Sequence, residues 1–207
     1  MYKYIVMLFV STAYCFGISD ILKPIEPLQV YEFGKEGLGY KDVTIVDYGE
    51  SKIGGETHNV NLVIENTKND SHHLHIVRQA DNDINGAYAL TFLVKPEGRN
   101  NLTVGAAYSP KKRGPGNISR GSVNLFLDTG VAELNHGNGE LEGILEPLND
   151  GWYRAYYSFT SAATRHDNYK PVFWITFKSD DMKKKYPGDG GSGIYIANIE
   201  IYDADMY

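Results

Sequence analysis

The chain has 207 residues, 42% hydrophobic and 22% charged, enough apolar content to bury the core of one sizeable domain or two small ones. Its formal net charge of −6 argues against generic nucleic-acid binding, which needs a basic surface. Cys15 is the sole cysteine, so a disulfide framework cannot hold the fold.

The first residues have the pattern of an export signal. Lys3 supplies positive charge, Ile5–Tyr14 is largely apolar, and the small residues Ala13, Cys15 and Gly17 follow. The apolar run is too short to span a bilayer. We expect residues 1–17 to be a signal peptide and the mature chain to be secreted or extracellular, with no stable membrane anchor once the signal is removed. The competing expectation is a buried N-terminal strand. Tyr14 is bulky where a lipid-anchored Cys15 would need a small neighbour. Without Cys15 the mature chain has no cysteine for a zinc site or a thiol nucleophile.

Residues 18–42 are interrupted by Pro24, Pro27, Gly34, Gly37 and Gly39, and read as an irregular leader that wraps the domain. From residue 43 to 207 the chain reads as one domain of short β segments. In order they are Val43–Tyr48, Asn59–Glu65, His72–Arg78, Tyr88–Val94, Leu102–Tyr108, Ser122–Asp128, Trp152–Phe159, Val172–Phe177 and Ile194–Tyr202. Turn signals separate them, among them Gly54-Gly55, Asn82-Asp83, Gly114-Pro115-Gly116, Asn149-Asp150-Gly151 and the Pro187–Gly191 run. Regularly spaced strands with such breaks are the mark of a sandwich or barrel. Val131–Glu142 has room for a turn of helix, which Gly137 and Gly139 cut short.

Alternation assigns faces, because successive side chains of a strand point to opposite sides. Val123, Leu125 and Leu127 share one face; Ser122, Asn124, Phe126 and Asp128 share the other. Tyr153, Ala155, Tyr157 and Phe159 oppose Arg154 and Tyr156, and Phe173, Ile175 and Phe177 oppose Trp174. Several strands thus carry a core face and a second face mixing rings with amides and charges. Sugars present apolar C–H patches ringed by hydroxyls, which flat aromatic rings beside Asn, Asp and Arg are suited to meet. The candidate glycan contacts are Asn124, Phe126, Asp128, Arg154, Tyr156 and Trp174. For any one of them the plainer expectation is a side chain packed under a loop or covering a convex face.

Four stretches in order resemble a carbohydrate-binding-like jelly-roll domain of tailed-phage and other viral tail and fibre proteins. They are Asn61–Asn66 running into Asn69–Leu74, Tyr88–Pro96 with its Val94-Lys95-Pro96 step, Asn149–Arg154, and Gly188–Ile196. Where that family commonly has Trp-Gly after the last Ile-Tyr-Ile, this chain has Ala197-Asn198. The resemblance implies a jelly-roll fold with glycan binding or virion-surface display, and no catalysis. Read without it, Asn149-Asp150-Gly151 is a turn and Trp152 starts a strand with a ring that fills a sheet, a structural role.

Other chemistry is thinner. His73 and His75 would share a strand face beside His72, which suits a metal, but no third ligand stands nearby in sequence. Glu133, Glu140, Glu142 and Glu146 include the carboxylate types of a glycosidase. Asp189, Asp203 and Asp205 are oxygen donors for a structural calcium of the kind β-sandwich sugar binders often carry, with solvated acidic turns the simpler expectation. Lys111-Lys112-Arg113 and Lys183-Lys184-Lys185 are basic loops able to touch an anionic polysaccharide. Asn69, Asn101 and Asn117 lie in glycosylation sequons.

The expectation is therefore an all-β chain, a jelly-roll β-sandwich of two antiparallel sheets, acting as a non-catalytic carbohydrate-binding-type module. Its partner is a glycan or polysaccharide, not nucleic acid, and no cofactor is expected beyond a structural calcium. One alternative is a virion or cell-surface attachment protein that forms a homo-oligomer through exposed aromatics. Another is a polysaccharide lyase or hydrolase.

Overall fold

The computed structural model describes residues 26–77, 88–110, 118–137, 141–159 and 169–203. Its strands in chain order are β1 (Gln29–Tyr31), β2 (Leu38–Lys41), β3 (Val43–Ile53), β4 (Glu56–Glu65), β5 (Asn69–Asp70), β6 (His73–Val77), β7 (Tyr88–Glu97) and β8 (Asn101–Pro110). They continue as β9 (Ile118–Phe126), β10 (Val131–Gly137), β11 (Leu141–Pro147), β12 (Tyr153–Phe159), β13 (Tyr169–Phe177), β14 (Tyr186–Pro187) and β15 (Gly193–Asp203). A seven-stranded sheet runs β11-β12-β7-β15-β4-β3, with β1 also on β15. A six-stranded sheet runs β10-β9-β8-β13-β6-β2, and β14 pairs with β5 apart from both. The strand pairs within both large sheets are antiparallel. The chain passes repeatedly from one to the other, which makes the architecture a jelly-roll β-sandwich.

The core lies between the sheets, where alternation requires it. Val123, Leu125, Ala155, Tyr157, Phe159, Phe173, Ile175 and Phe177 are all buried in one cluster. Phe173 from the six-stranded sheet meets Phe159 of the other edge-on at 5.7 Å between centroids, and Tyr157 at 6.4 Å. Burying each such ring is worth about 1.5–3 kcal/mol. Tyr157 also donates its hydroxyl proton across the sandwich to the Gly121 carbonyl at 3.0 Å.

Two expectations change. Residues 18–42 are not all irregular, because β1 and β2 lie within them and add edges to the two large sheets. The glycines and prolines there interrupt the segment without preventing short edge strands, which need pairing on one side only. Within the Val131–Glu142 stretch, the described residues 131–137 and 141–142 are also strand. Val131 to Gly137 pair with β9, whose hydrogen bonds override a weak helical pattern. Among the described residues the only helical turn is Asn149–Gly151, where Asp150 and Gly151 both take positive φ to turn β11 into β12. The Asn149 side chain then accepts from the Gly54 N–H at 2.8 Å and ties this turn to the β3–β4 hairpin. No helix of the described residues is long and apolar enough to cross a membrane.

β15 is forked. Residues 193–196 pair with β4, residues 199–201 pair with β1, and the register on β7 slips between Ala197 and Glu200. Asn198 sits at the slip with φ 51°, a left-handed conformation that Asn tolerates better than most residues. That is the position of the glycine in the Trp-Gly pair of the family the sequence resembles. Ala197 beside it packs into a satellite cluster with Trp152, Ile53, Val60 and Leu93, so Trp152 has the structural role its turn suggested.

Candidate functional site

The two outer faces of the sandwich differ. On the seven-stranded sheet, Ala89, Thr91 and Leu93 of β7 are buried although they point away from the core. Tyr156, in register with Thr91, is only 5% exposed, and burial raises its phenol pKa. Arg154 reaches back to the Glu146 carboxylate at 3.2 Å on β11. Thr91 and Tyr202 both donate to Glu200. The β7–β12 part of this face is closed by its own side chains, whereas Val46 and Tyr48 of β3 stay exposed, Tyr48 meeting Tyr195 of β15 edge-on at 4.7 Å between ring centroids.

The outer face of the six-stranded sheet is open in part: Thr103 and Thr176 on it are buried, while Lys41, His73, His75, Trp174 and Asn124 keep exposed surface. Register places Lys41, His73, Thr176, Thr103, Asn124 and Glu133 in one row across it. The next row is Gly39, His75, Trp174, Gly105 and Ser122. In that row glycines provide the space. A Cβ on Gly105 would stand 2.7, 2.8 and 2.9 Å from Nε1, Cε2 and Cζ2 of Trp174. The indole therefore lies close against the Gly105 backbone. A Cβ on Gly39 would likewise meet the His75 ring at 2.1 Å. Two rings therefore spread in opposite directions over strands that have no side chain to lift them. Both remain half-buried, with outward surface.

Polar groups flank the rings. Thr103 donates to the Asn124 side-chain oxygen at 2.7 Å, which orients the amide and leaves its nitrogen as the donor offered outward. Asn135 donates to the Ser122 hydroxyl at 3.1 Å. Phe126 lies beside Asn101 and Val131 at one end of the face. Burial chiefly, and then His75 and Lys184, hold the His73 pKa below its ordinary value.

The structure therefore brings Asn124, Phe126 and Trp174 together and separates them from Arg154 and Tyr156. Those two occupy the outer face of the other sheet, paired and covered respectively. Asp128 is exposed in the turn after β9, beyond the end of the strand. Thr103 belongs to this face and was missed; Ser122, expected on the outward face, and His75, considered only for a metal, join it, and only the register of separate strands shows that they are neighbours.

The remaining candidates scatter. Glu133 is on the open face, while Glu142 and Glu146 are on β11 of the other sheet, so these carboxylates do not converge. Glu140 and the Lys111–Arg113 loop lie outside the described residues, as do Asn117 and Asp205. Asn69 is exposed, whereas Asn101 is half-buried with its amide nitrogen 3.5 Å from the Ser179 carbonyl. His73 and His75 have ring centroids 6.2 Å apart, and among the described residues no three His, Cys, Asp or Glu side chains gather as a metal set. Asp189 turns inward on its own loop. It accepts from the Gly191 and Ser192 N–H groups at 2.7 and 2.6 Å and from the Ser192 hydroxyl. The Ser192 hydroxyl foremost, then these amides, hold its pKa at about 2.

A buried polar latch at one end of the sandwich was not expected from sequence. Glu65, 1% exposed, accepts from Arg99 at 2.5 Å, Tyr186 at 2.6 Å and the Asp189 N–H at 3.2 Å. The Arg99 guanidinium also stands 5.1 Å over the Tyr186 ring. His72, fully buried alongside, donates from Nδ1 to the Asp42 carbonyl at 2.6 Å. A separate polar cleft of about 500 Å³ opens at the β15 fork, lined by Asp47, His58, Asn59, Asn61 and Asn198 among others.

No protein-family model matches the chain. No curated protein matches it either. Among solved structures it is similar to a xylan-binding CBM22 domain from Paenibacillus barcinonensis, at 8% identity over 86% of this chain and 95% of that one, TM-score 0.45. It is similar to a mannan-recognising CBM27 module, at 14% identity over 89% and 91%, TM-score 0.41. A family 11 carbohydrate-binding module from Clostridium thermocellum, solved with a mixed-linked β-1,3-1,4 tetrasaccharide, is 11% identical over 85% and 95%, TM-score 0.38. None of these three is a tail or fibre protein. At such identities no residue role transfers, and the function has to be argued from the faces themselves.

Proposed function

We propose that this chain is a non-catalytic, extracellular carbohydrate-binding module that takes a polysaccharide across the outer face of its six-stranded sheet. The observation that carries the reading is the Trp174 indole lying over Gly105, offered to solvent between oriented amide and hydroxyl groups. A pyranose ring can stack its C–H face on the indole while Asn124, Ser122 and His75 meet its hydroxyls. Shallow contacts along a sheet suit a chain of sugars better than one small molecule. The apolar segment Ile5–Tyr14 after Lys3 supports export.

The test is binding to a panel of soluble polysaccharides, neutral and acidic, by affinity electrophoresis and calorimetry. Trp174→Ala is expected to weaken binding at least tenfold, and Tyr156→Ala, on the opposite face, to leave affinity unchanged if the variant folds. Binding undiminished in Trp174→Ala overturns the proposal.

A second reading, assembly on a surface through the jelly-roll, draws support from β10. This edge strand exposes Val131 (42%) and Leu134 (66%). Solution mass decides it: an oligomer dispersed by Leu134→Lys supports assembly, and a monomer at high concentration opposes it.

A further inference from the structure

The cleft at the β15 fork is made by strands that part. β15 is hydrogen-bonded to β4 through Gly193–Ile196 and to β1 through Ile199–Ile201, and its register on β7 slips in between. β4 and β1 diverge there, and the wedge between them is the cleft of about 500 Å³. That is the volume of a small-molecule site. Ala197, Ile199 and Tyr31, all buried, line its depth. The wedge narrows to strands paired on one another, so a ligand enters it by one end.

The lining is dense in amides. Asn59 and Asn61 stand two residues apart on β4 and so share a face. Asp47 of β3 is directly opposite Asn61 on that face, and Asn198 adds a third amide from the slip in β15. Among the described residues no group hydrogen-bonds any of these three amide side chains, whereas those of Asn66, Asn101, Asn124, Asn135 and Asn149 all have partners. Asp47 accepts from the Gly49 N–H through Oδ1 at 2.9 Å, which fixes the carboxylate and leaves Oδ2 to accept from a ligand. Phe33, half-buried, supplies a ring in the wall.

Charge narrows the ligand class. Asp47 and Glu32 line the cleft, and no Lys or Arg of the described residues does. Its imidazole, His58, stands 3.9 Å from Glu56. An anion would meet two carboxylates and no fixed positive charge. A metal ion is poorly served, since among the described residues no three His, Cys, Asp or Glu side chains gather. Unpartnered amides, each able to donate and accept at once, match a neutral ligand with adjacent hydroxyls. We infer that the fork cleft is a second saccharide site, which takes the end of a neutral oligosaccharide. Asn59, Asn61 and Asn198 hydrogen-bond neighbouring hydroxyls of the terminal sugar, and Asp47 accepts from one more. This goes beyond the sheet-face reading and stands without it, because the cleft belongs to the seven-stranded sheet and Trp174 to the six-stranded one.

The experiment is NMR titration of the isotope-labelled full chain. The neutral probes are cellotriose, xylotriose, mannotriose and galactotriose; trigalacturonate is the acidic one, and calcium chloride is added alone. At least one neutral trisaccharide is expected to bind, with the same affinity in wild type and in Trp174→Ala. Asn198→Gly keeps the left-handed backbone while removing the amide, and Asn59→Ala changes an exposed side chain. Together they should weaken that trisaccharide at least tenfold and leave Trp174-dependent polysaccharide binding as it was. Asp47→Ala, a single exposed change, should lower the affinity in the same direction and serves where the pair does not fold. No binding of any neutral trisaccharide overturns the inference and leaves the sheet-face reading standing. Binding abolished by Trp174→Ala and untouched by the cleft variants overturns it as well, and moves the saccharide to the sheet face. Trigalacturonate bound as tightly through the cleft residues refutes the neutral class. Calcium chloride shifting the same resonances without sugar makes the cleft a cation site instead. Trisaccharide binding that survives Trp174→Ala, in a chain for which no polysaccharide depends on Trp174, keeps the inference and removes the sheet-face reading.

Discussion

One methyl group is enough to test the indole platform. In Gly105→Ala the new Cβ would meet three atoms of the Trp174 ring at 2.7–2.9 Å. Carbon atoms in ordinary contact are about 3.5–4.0 Å apart, so the ring has to rise by roughly 1 Å or tilt. Turning a side chain some 30° off its rotamer costs about 0.5–1.5 kcal/mol. Against this, Gly105 has no left-handed φ, and alanine narrows the unfolded ensemble, which stabilises by about 0.4–1 kcal/mol. The two effects nearly cancel in folding, and the stability change should stay within about 1 kcal/mol of zero. They do not cancel in binding, because a sugar stacks on the ring where it lies. A misplaced indole that forfeits about 1 kcal/mol of contact lowers affinity about fivefold. Urea denaturation and calorimetric titration on the same samples separate these quantities. Tryptophan fluorescence follows the ring, since the only other tryptophan, Trp152, sits 6% exposed in the satellite cluster. Wild-type affinity in a variant whose indole emission has shifted refutes the platform. A stability loss above about 3 kcal/mol refutes the premise that the ring has room to move outward.

Three further outcomes follow from the packing. Glu65→Ala removes the carboxylate that holds Arg99, Tyr186 and the Asp189 N–H, and leaves a guanidinium in a largely buried place. A loss of about 3–5 kcal/mol is expected in urea unfolding, partly recovered in Glu65→Leu with Arg99→Met; a loss under about 1 kcal/mol shows that the latch contributes little. Tyr157→Phe keeps the ring but strips the Gly121 carbonyl of its donor, and stability should fall by about 1 kcal/mol with affinity untouched. Asp189 and Asp70 both have pKa values held at about 2, against 3.8 for a free aspartate. Depressed values stabilise the fold above pH 3.8 and lose that effect as pH falls toward 2. Melting temperature should therefore drop through that window, with a smaller drop in Asp189→Asn; an unchanged slope in the variant counts against its loop role.

The fold was legible because its signals are local. Period-two alternation in Ser122–Asp128, Trp152–Phe159 and Val172–Phe177 put the right side chains inward, and the Asn149-Asp150-Gly151 turn stands where its residues place it. Edge strands were harder. β1, β2 and β10 carry weak or interrupted patterns, since an edge is half-supported and tolerates Pro, Gly and exposed apolar side chains. Glu65 and Arg99 gave no warning, because a carboxylate ending one strand and an arginine in the connection between β7 and β8 look like surface charges until the sandwich closes over them.

The site lies between these cases. Its row takes one residue from each of β2, β6, β13, β8 and β9, so no contiguous motif can announce it. Alternation correctly placed Asn124, Phe126 and Trp174 away from the core, yet placed Arg154 and Tyr156 there too, because each strand has an outside whichever sheet it joins. What separates the two outsides is how far each covers itself. On the seven-stranded sheet Tyr156, Trp152 and Leu93 supply bulk, and the face closes over β7 and β12. On the other, Gly39 and Gly105 withhold it. A glycine within an otherwise strong strand segment, as in Leu102-Thr103-Val104-Gly105-Ala106, costs strand stability, and it is tolerated where something lies close above the backbone. Here that something is a ring with one side still open. The informative residue in the sequence was therefore the glycine beneath the tryptophan, and it becomes readable only once register shows that the two are neighbours.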